Sequence, residues 1–117
     1  MAISHSTDPR NMGILDNADS YTKLTGPCGD TMEIWIKVNK GHISDISFMT
    51  DGCHNAVACC SAVTELVMGQ SLQQALRINQ DDILTTLNGL PEEDKHCALL
   101  TSKTLKRAIS GYLSNNQ

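Results

Sequence analysis

The chain has 117 residues, 40% of them hydrophobic, and a net charge of −4 at neutral pH. That length suits one domain with a modest core, and with one Trp, two Tyr and one Phe the core must be mainly aliphatic. The acidic balance and the lack of a Lys/Arg cluster argue against nucleic acid as a main partner. No run is long enough for a transmembrane helix and the first residues lack a signal peptide's apolar stretch, so a cytoplasmic location with no membrane partner is expected.

Residues 1–20 are polar, with Asp8-Pro9-Arg10-Asn11 and little apolar periodicity, and read as a flexible N-terminal arm with at most one short helix. Residues 21–117 then form a single domain. Tyr21 to Thr25 can supply a short strand. Thr31 to Asn39 alternates cleanly, with Met32, Ile34, Ile36 and Val38 on one side and Glu33, Trp35 and Lys37 on the other. His42 to Thr50 carries Ile43, Ile46 and Phe48, and the slip in phase between Ile43 and Ile46 predicts a bulge near Ser44-Asp45. A short turn at Asn39-Lys40-Gly41 makes the two long strands a hairpin.

Helical periodicity takes over after Cys53. Ala56, Cys59, Cys60, Val63, Leu66 and Val67 share one face, and Gly69 ends that helix. Ser71-Leu72-Gln73-Gln74 fits a capping box opening a short helix, and Asn79 can cap another that runs through Leu87 and closes at Asn88-Gly89. Pro91-Glu92-Glu93-Asp94 places acids ahead of, or in the first turn of, a last helix. Its apolar stripe is Ala98, Leu105, Ala108, Ile109, Tyr112 and Leu113. Strands first and helices after define an α+β class: a small antiparallel three-stranded sheet with helices packed on one face.

Five cysteines cannot all pair internally, and in a reducing compartment they read as metal-binding, reactive or core residues. Three of them lie in separate segments with a glycine, carboxylate or histidine beside each: Gly26-Pro27-Cys28-Gly29-Asp30, Asp51-Gly52-Cys53-His54 and Lys95-His96-Cys97. Three thiolates with one nearby oxygen or nitrogen donor make a four-coordinate site for a soft metal or an iron–sulfur cluster. Cys53 and Cys97 fall at predicted helix starts, where unsatisfied N–H groups favour thiolate over thiol. Asp30 can ligate or can end a turn, and His96 can ligate beside Cys97 or be an ordinary polar residue. His54 can line the site or stand in solvent. His5 and His42 read as solvated, and Met12, Met32, Met49 and Met68 as core or surface filler. Cys59 and Cys60 lie on the apolar helix face and read as small buried thiols. The sharper alternative makes one of them a resolving thiol or persulfide acceptor near Cys53, but if the helix extends back to Cys53, Cys60 stands about 10 Å away, too far for an unstrained disulfide.

Pro9-Arg10-Asn11-Met12-Gly13, the Cys28 and Cys53 segments, Ala58-Cys59-Cys60-Ser61-Ala62-Val63-Thr64-Glu65 and His96-Cys97 together resemble the NifU/IscU-type iron–sulfur cluster assembly scaffolds, in order and in spacing. The resemblance runs from about residue 8 to the end of the last helix. It implies a three-stranded antiparallel sheet with helices against it and the cysteines at one exposed end. It implies a scaffold, not an enzyme, that takes sulfur from a cysteine desulfurase and iron from an iron donor. A transient [2Fe–2S] cluster is built and passed to apo iron–sulfur acceptor proteins. Cys28, Cys53 and Cys97 match the family's ligand cysteines, Asp30 its aspartate linked to cluster lability, and His96 the histidine at its metal site. Zn2+ is the alternative occupant in the isolated protein, and a homodimer is one assembly to expect.

The chain departs from the family pattern at His54, where glycine is frequent, and at Cys59 and Cys60, where serines are common. The Leu-Pro-Pro-Val-Lys motif that chaperone-dependent members carry before the last cysteine is not intact: Leu90-Pro91 is followed by Glu92-Glu93-Asp94 before Lys95. The runner-up is a zinc-holding sulfur-transfer protein with Cys97 or Cys53 as persulfide acceptor. A third reading, a cysteine-nucleophile enzyme with His96 or His54 as base, has no local signature behind it.

Overall fold

A computed structural model describes residues 12–26, 29–52, 54–87 and 95–115. The expectations for residues 1–11, Cys28, Cys53, Asn88-Gly89 and Pro91–Asp94, and for the His54 side chain, lie outside what it describes.

Three antiparallel strands lie in the order β1-β2-β3: β1 Ser20–Thr25, β2 Thr31–Asn39 and β3 His42–Thr50. The alternation in β2 does what the period of two requires. Met32, Ile34 and Ile36 are fully buried, as are Ile43, Ile46 and Phe48 of β3 opposite them. The bulge is real: Lys37 pairs with Asp45 and Val38 with Ile43, so Ser44 is the extra residue. It returns Ile43 to the core face after the slip in phase. The hairpin loop is Lys40-Gly41, with φ of 55° and 78°. Two successive positive φ values are those of a type I′ turn, which matches the twist of the flanking strands.

The β3 edge of the sheet is partly covered, and the start of β1 is tied to α4. At the β3 edge the Gly13 N–H donates to the Phe48 carbonyl at 2.9 Å, and Gly69 N–H donates to Ile43 O while Ile43 N–H donates to Gln70 O, each at 2.8 Å. At the β1 edge the Ser20 hydroxyl donates to the Ala108 carbonyl at 2.7 Å. The pairing along β3 leaves less of that edge free to recruit another strand.

Four helices follow, α1 His54–Val67, α2 Leu72–Leu76, α3 Gln80–Thr86 and α4 Lys95–Asn115. α4 packs across β1 and β2, α1 lies between β3 and α4, and α3 leans on both helices. Ser71 and Asn79 cap α2 and α3, each accepting from the third helical N–H while Gln74 or Asp82 reaches back. Gly69, with φ 82°, closes the segment after α1 as the sequence predicts.

α1 is buried more widely than its apolar stripe predicts, because Ala58, Ser61, Ala62 and Thr64 are also inside. On α4, Thr101 and Thr104 are fully buried although neither belongs to the predicted stripe. The physical reason is the same for both helices. Small residues let the helices approach closely, and the hydroxyls find acceptors on their own backbone: Thr64 on Ser61 O at 2.7 Å, Thr104 on Leu100 O at 2.8 Å.

Lys40 holds a left-handed conformation without glycine's freedom, and asparagine tolerates that conformation better. Lys40→Asn should therefore stabilise the protein by about 0.5–1 kcal/mol. A higher urea midpoint at unchanged m-value checks this.

Candidate metal centre

One end of the sheet gathers the chain segments that carry the candidate ligands: β1 ends there, β2 begins, β3 ends, and the first turn of α4 arrives from the far side. The loop from Gly26 to Asp30 closes on itself. Gly26 N–H donates to Asp30 O at 2.8 Å and Gly29 N–H to Gly26 O at 3.0 Å, with Gly29 at φ 92°. A Cβ on Gly26 would lie 2.9 Å from Leu100 Cδ2, so this loop sits directly against α4.

The loop after β3 is pinned as firmly. Thr31 N–H donates to Asp51 Oδ1 at 2.8 Å, the Thr50 hydroxyl to Thr31 O at 2.7 Å, and Gly52 N–H to Thr50 Oγ1 at 3.1 Å. A Cβ on Gly52 would meet Ala56 Cβ at 2.6 Å and the Asp30 carboxyl carbon at 3.2 Å. The Asp30 carboxylate therefore lies over the bare Cα of the residue that precedes Cys53.

Asp30, His96 and Cys97 converge: one donor atom from each lies within 4.8 Å of the other two. His96 Nε2 and Cys97 Sγ are 3.7 Å apart, although the residues are adjacent in a helix. Metal bonds of about 2.0–2.3 Å in a tetrahedral site place neighbouring donors about 3.5 Å apart, so this pair stands near the spacing one ion needs. Cys97 is 1% exposed, while Asp30 and His96 are half-buried. Asp30 and His96 are therefore more accessible to solvent than Cys97 is. The structure brings three of the five candidate site residues together. Cys28 and Cys53 lie outside the described residues, but Gly29 and Gly52, their chain neighbours, border this same end.

Beneath the site is a contact that sequence reasoning missed. The buried Thr101 hydroxyl donates to the Cys97 carbonyl at 2.7 Å, with Met32 Sδ at 3.2 Å and Cys60 Sγ at 3.9 Å around the same oxygen. Met32 stands two residues after Asp30, Cys60 is on the helix that follows Cys53, and Thr101 is one turn beyond Cys97. Each candidate ligand segment thus sends one side chain to a single buried point. The available signal was a threonine four residues after a cysteine at a helix start, the spacing at which a hydroxyl reaches back to a carbonyl.

Cys59 and Cys60 are fully buried, as the apolar helix face predicts. Burial pushes the Cys60 thiol up to about 12, partly opposed by the Thr101 hydroxyl and reinforced by nearby Cys97. It stays protonated at neutral pH, which removes it as a nucleophile.

A small α+β protein that gathers thiol, imidazole and carboxylate at one end of its sheet is the class that this geometry defines. The sequence profile of the NifU-like N terminal domain matches residues 1–117, and the chain belongs to that family. It is 41% identical over 115 residues to the iron-sulfur cluster assembly scaffold protein IscU 1 of Archaeoglobus fulgidus, covering 97% of this chain and 75% of the relative. It is 42% identical over 120 residues to the iron-sulfur cluster assembly scaffold protein IscU of Escherichia coli, covering 98% and 93%. A solved NifU-like N-terminal protein from Brucella abortus shares the fold with a TM-score of 0.77 at 19% identity, covering 99% of this chain and 93% of that one.

Thr101→Val keeps the shape and removes the hydroxyl. It should cost about 1–2 kcal/mol of stability, with Thr101→Ser restoring it. Equal urea midpoints for wild type, Thr101→Val and Thr101→Ser would contradict this. For Cys60 the sign follows from its raised value. Its contribution to stability is complete below pH 9, where folded and unfolded thiols both hold the proton. It is lost as pH rises from 9 through 12, because the unfolded thiol ionises first. Cys60→Ala should therefore flatten the alkaline decline in stability, measured by denaturant titration from pH 8 to 11.

Proposed function

We propose that this protein is a scaffold on which an iron–sulfur cluster is assembled and from which it is handed on. The observation that carries the reading is the convergence of Asp30, His96 and Cys97 within 4.8 Å at one end of the sheet. The matching family and the scaffold names of its relatives support it.

In this reading Cys28, Cys53 and Cys97 are thiolate ligands of the cargo, with Asp30 or His96 in the fourth position. The cargo is a [2Fe–2S] cluster, and Zn2+ takes the same donors in the isolated protein. A scaffold must hold its cluster well enough to form it and loosely enough to release it. Three soft thiolates with one harder or weaker donor meet both needs better than four thiolates do.

The chain itself performs no catalysis in this account. Sulfur comes from a cysteine desulfurase, iron from an iron donor, and the product goes to apo iron–sulfur acceptor proteins, with a homodimer as one working assembly. No helix among the described residues is long and apolar enough to cross a membrane. The proposal places the protein in the cytoplasm, where five cysteines stay reduced.

Cys28→Ser, Cys53→Ser and Cys97→Ser should each lower the metal-to-protein ratio sharply after anaerobic reconstitution, and Cys59→Ser and Cys60→Ser should leave it close to wild type. Equal loss at Cys59 and Cys28 would sink the ligand assignment. Asp30→Ala removes a hard donor and a negative charge, so cluster loss to a chelator should slow several-fold at matched folding. Faster loss would mean that Asp30 serves only to close the Gly26–Asp30 loop.

A further inference from the structure

The face of α4 that is turned away from the sheet is uniformly basic. Lys95, His96, Lys103, Lys106 and Arg107 belong to this helix, and none of its residues is acidic, on a chain whose net charge is −4. The cations are spread too widely to form a run in the sequence. Lys103, Lys106 and Arg107 make no ion pair with any described residue. Among them stands Leu99, 41% exposed on a helix whose other large aliphatic residues are buried or half-buried.

Leu99, Ser102, Lys103 and Lys106 follow the i, i+3, i+4, i+7 spacing of one helix face. They form one wall of a groove of about 380 Å³ whose other wall is Asn79, Gln80 and Asp81 at the start of α3. The Gln80 side-chain amide donates to Lys95 O at 2.9 Å and fixes that wall to the first turn of α4. Along α4 the groove attracts anions, and along α3 Asp81 repels them. His96, three residues before Leu99 on the same helix, belongs to the candidate metal site. By the helical rise, Lys106 lies about 15 Å from His96.

We propose that the α3–α4 groove docks an acidic segment of a partner protein, anchored by one aliphatic side chain on Leu99, and so leads that partner to the metal site. The proposal deepens the scaffold reading by naming the chemistry of a partner that must come close to the cargo. A nucleic acid fits less well, because this face has no aromatic side chain to stack a base and presents an aliphatic one instead. The carboxylates of the segment lie along Lys103 and Lys106, on the side away from Asp81. Its apolar residue covers Leu99, the one large aliphatic side chain that α4 leaves exposed.

The test uses the full chain and a synthetic peptide of about twelve residues, rich in Glu and Asp around one central Leu. Amide NMR shifts are followed on titration at low and high salt. The wild type should bind, with the largest shifts between Leu99 and Lys106 and at Asn79–Asp81, and binding should weaken as salt rises. The Lys103→Glu/Lys106→Glu double variant should weaken binding about tenfold or more, and Leu99→Ser about threefold or more. Absence of binding, binding unchanged by Leu99→Ser, or equal displacement by a single-stranded oligonucleotide of the same charge would overturn the proposal. Reconstituted cluster yield is read in parallel and should stay at the wild-type level in both variants. Failure of the wild type to hold any cluster overturns the scaffold reading instead, and leaves the peptide result to decide the docking surface by itself.

Discussion

No methyl group fits at Gly52: its Cβ would sit 2.6 Å from Ala56 Cβ, and the Asp30 carboxylate already lies over the bare Cα. That contact joins two segments that are far apart in sequence and fixes what the end of the sheet can present. Ala56 belongs to the first turns of α1 and cannot move aside without moving the helix. Asp30 is held by the closed loop from Gly26 and by the start of β2. The backbone that precedes Cys53 is therefore packed against the carboxylate that follows Cys28. On the other side Gly26 rests on Leu100, so the same loop is also registered against α4. A gathered site needs this kind of close backbone approach, because no local motif holds its donors together.

The rest of the architecture keeps that end rigid on one side and open on the other. The Thr101 hydroxyl, with Cys60, Met32 and the Cys97 carbonyl around it, is buried directly below the site. Cys97 is buried with it, while Asp30 and His96 are only half-buried. On the proposed reading the arrangement suits a cargo that must be both held and surrendered: Cys97 is shielded, and Asp30 and His96 are more accessible. The basic face of α4 continues from the same His96 turn, so the candidate site and the proposed docking groove both draw on one helix.

Much of the fold was legible in the sequence because its signals were local. The alternation of Met32, Ile34 and Ile36, the phase slip that became the Ser44 bulge, and the capping boxes at Ser71 and Asn79 each need only a few neighbouring residues. The buried thiols Cys59 and Cys60 followed from a helix face. What escaped was what depends on distance in space. Thr101 and Thr104 look like surface residues until the close approach of α1 to α4 covers them, and their hydroxyls are satisfied by their own helix. The uniform charge of α4 is spread over a long helix and appears as a face only when the helix is built. The convergence of Asp30 with His96 and Cys97 could be expected from family resemblance, but its physical cause, the missing side chain at Gly52, became visible only in three dimensions.

The central claim is that three thiolates and one oxygen or nitrogen donor from three chain segments share a single site. X-ray absorption at the zinc edge of the protein loaded with one equivalent of Zn2+ tests it most directly, since the fine structure counts sulfur and lighter donors separately. The account predicts three sulfur scatterers at about 2.3 Å and one nitrogen or oxygen at about 2.0–2.1 Å. A shell of four sulfurs, which would require Cys59 or Cys60 to leave the core, would contradict it, and so would a shell with a single sulfur among oxygen and nitrogen donors.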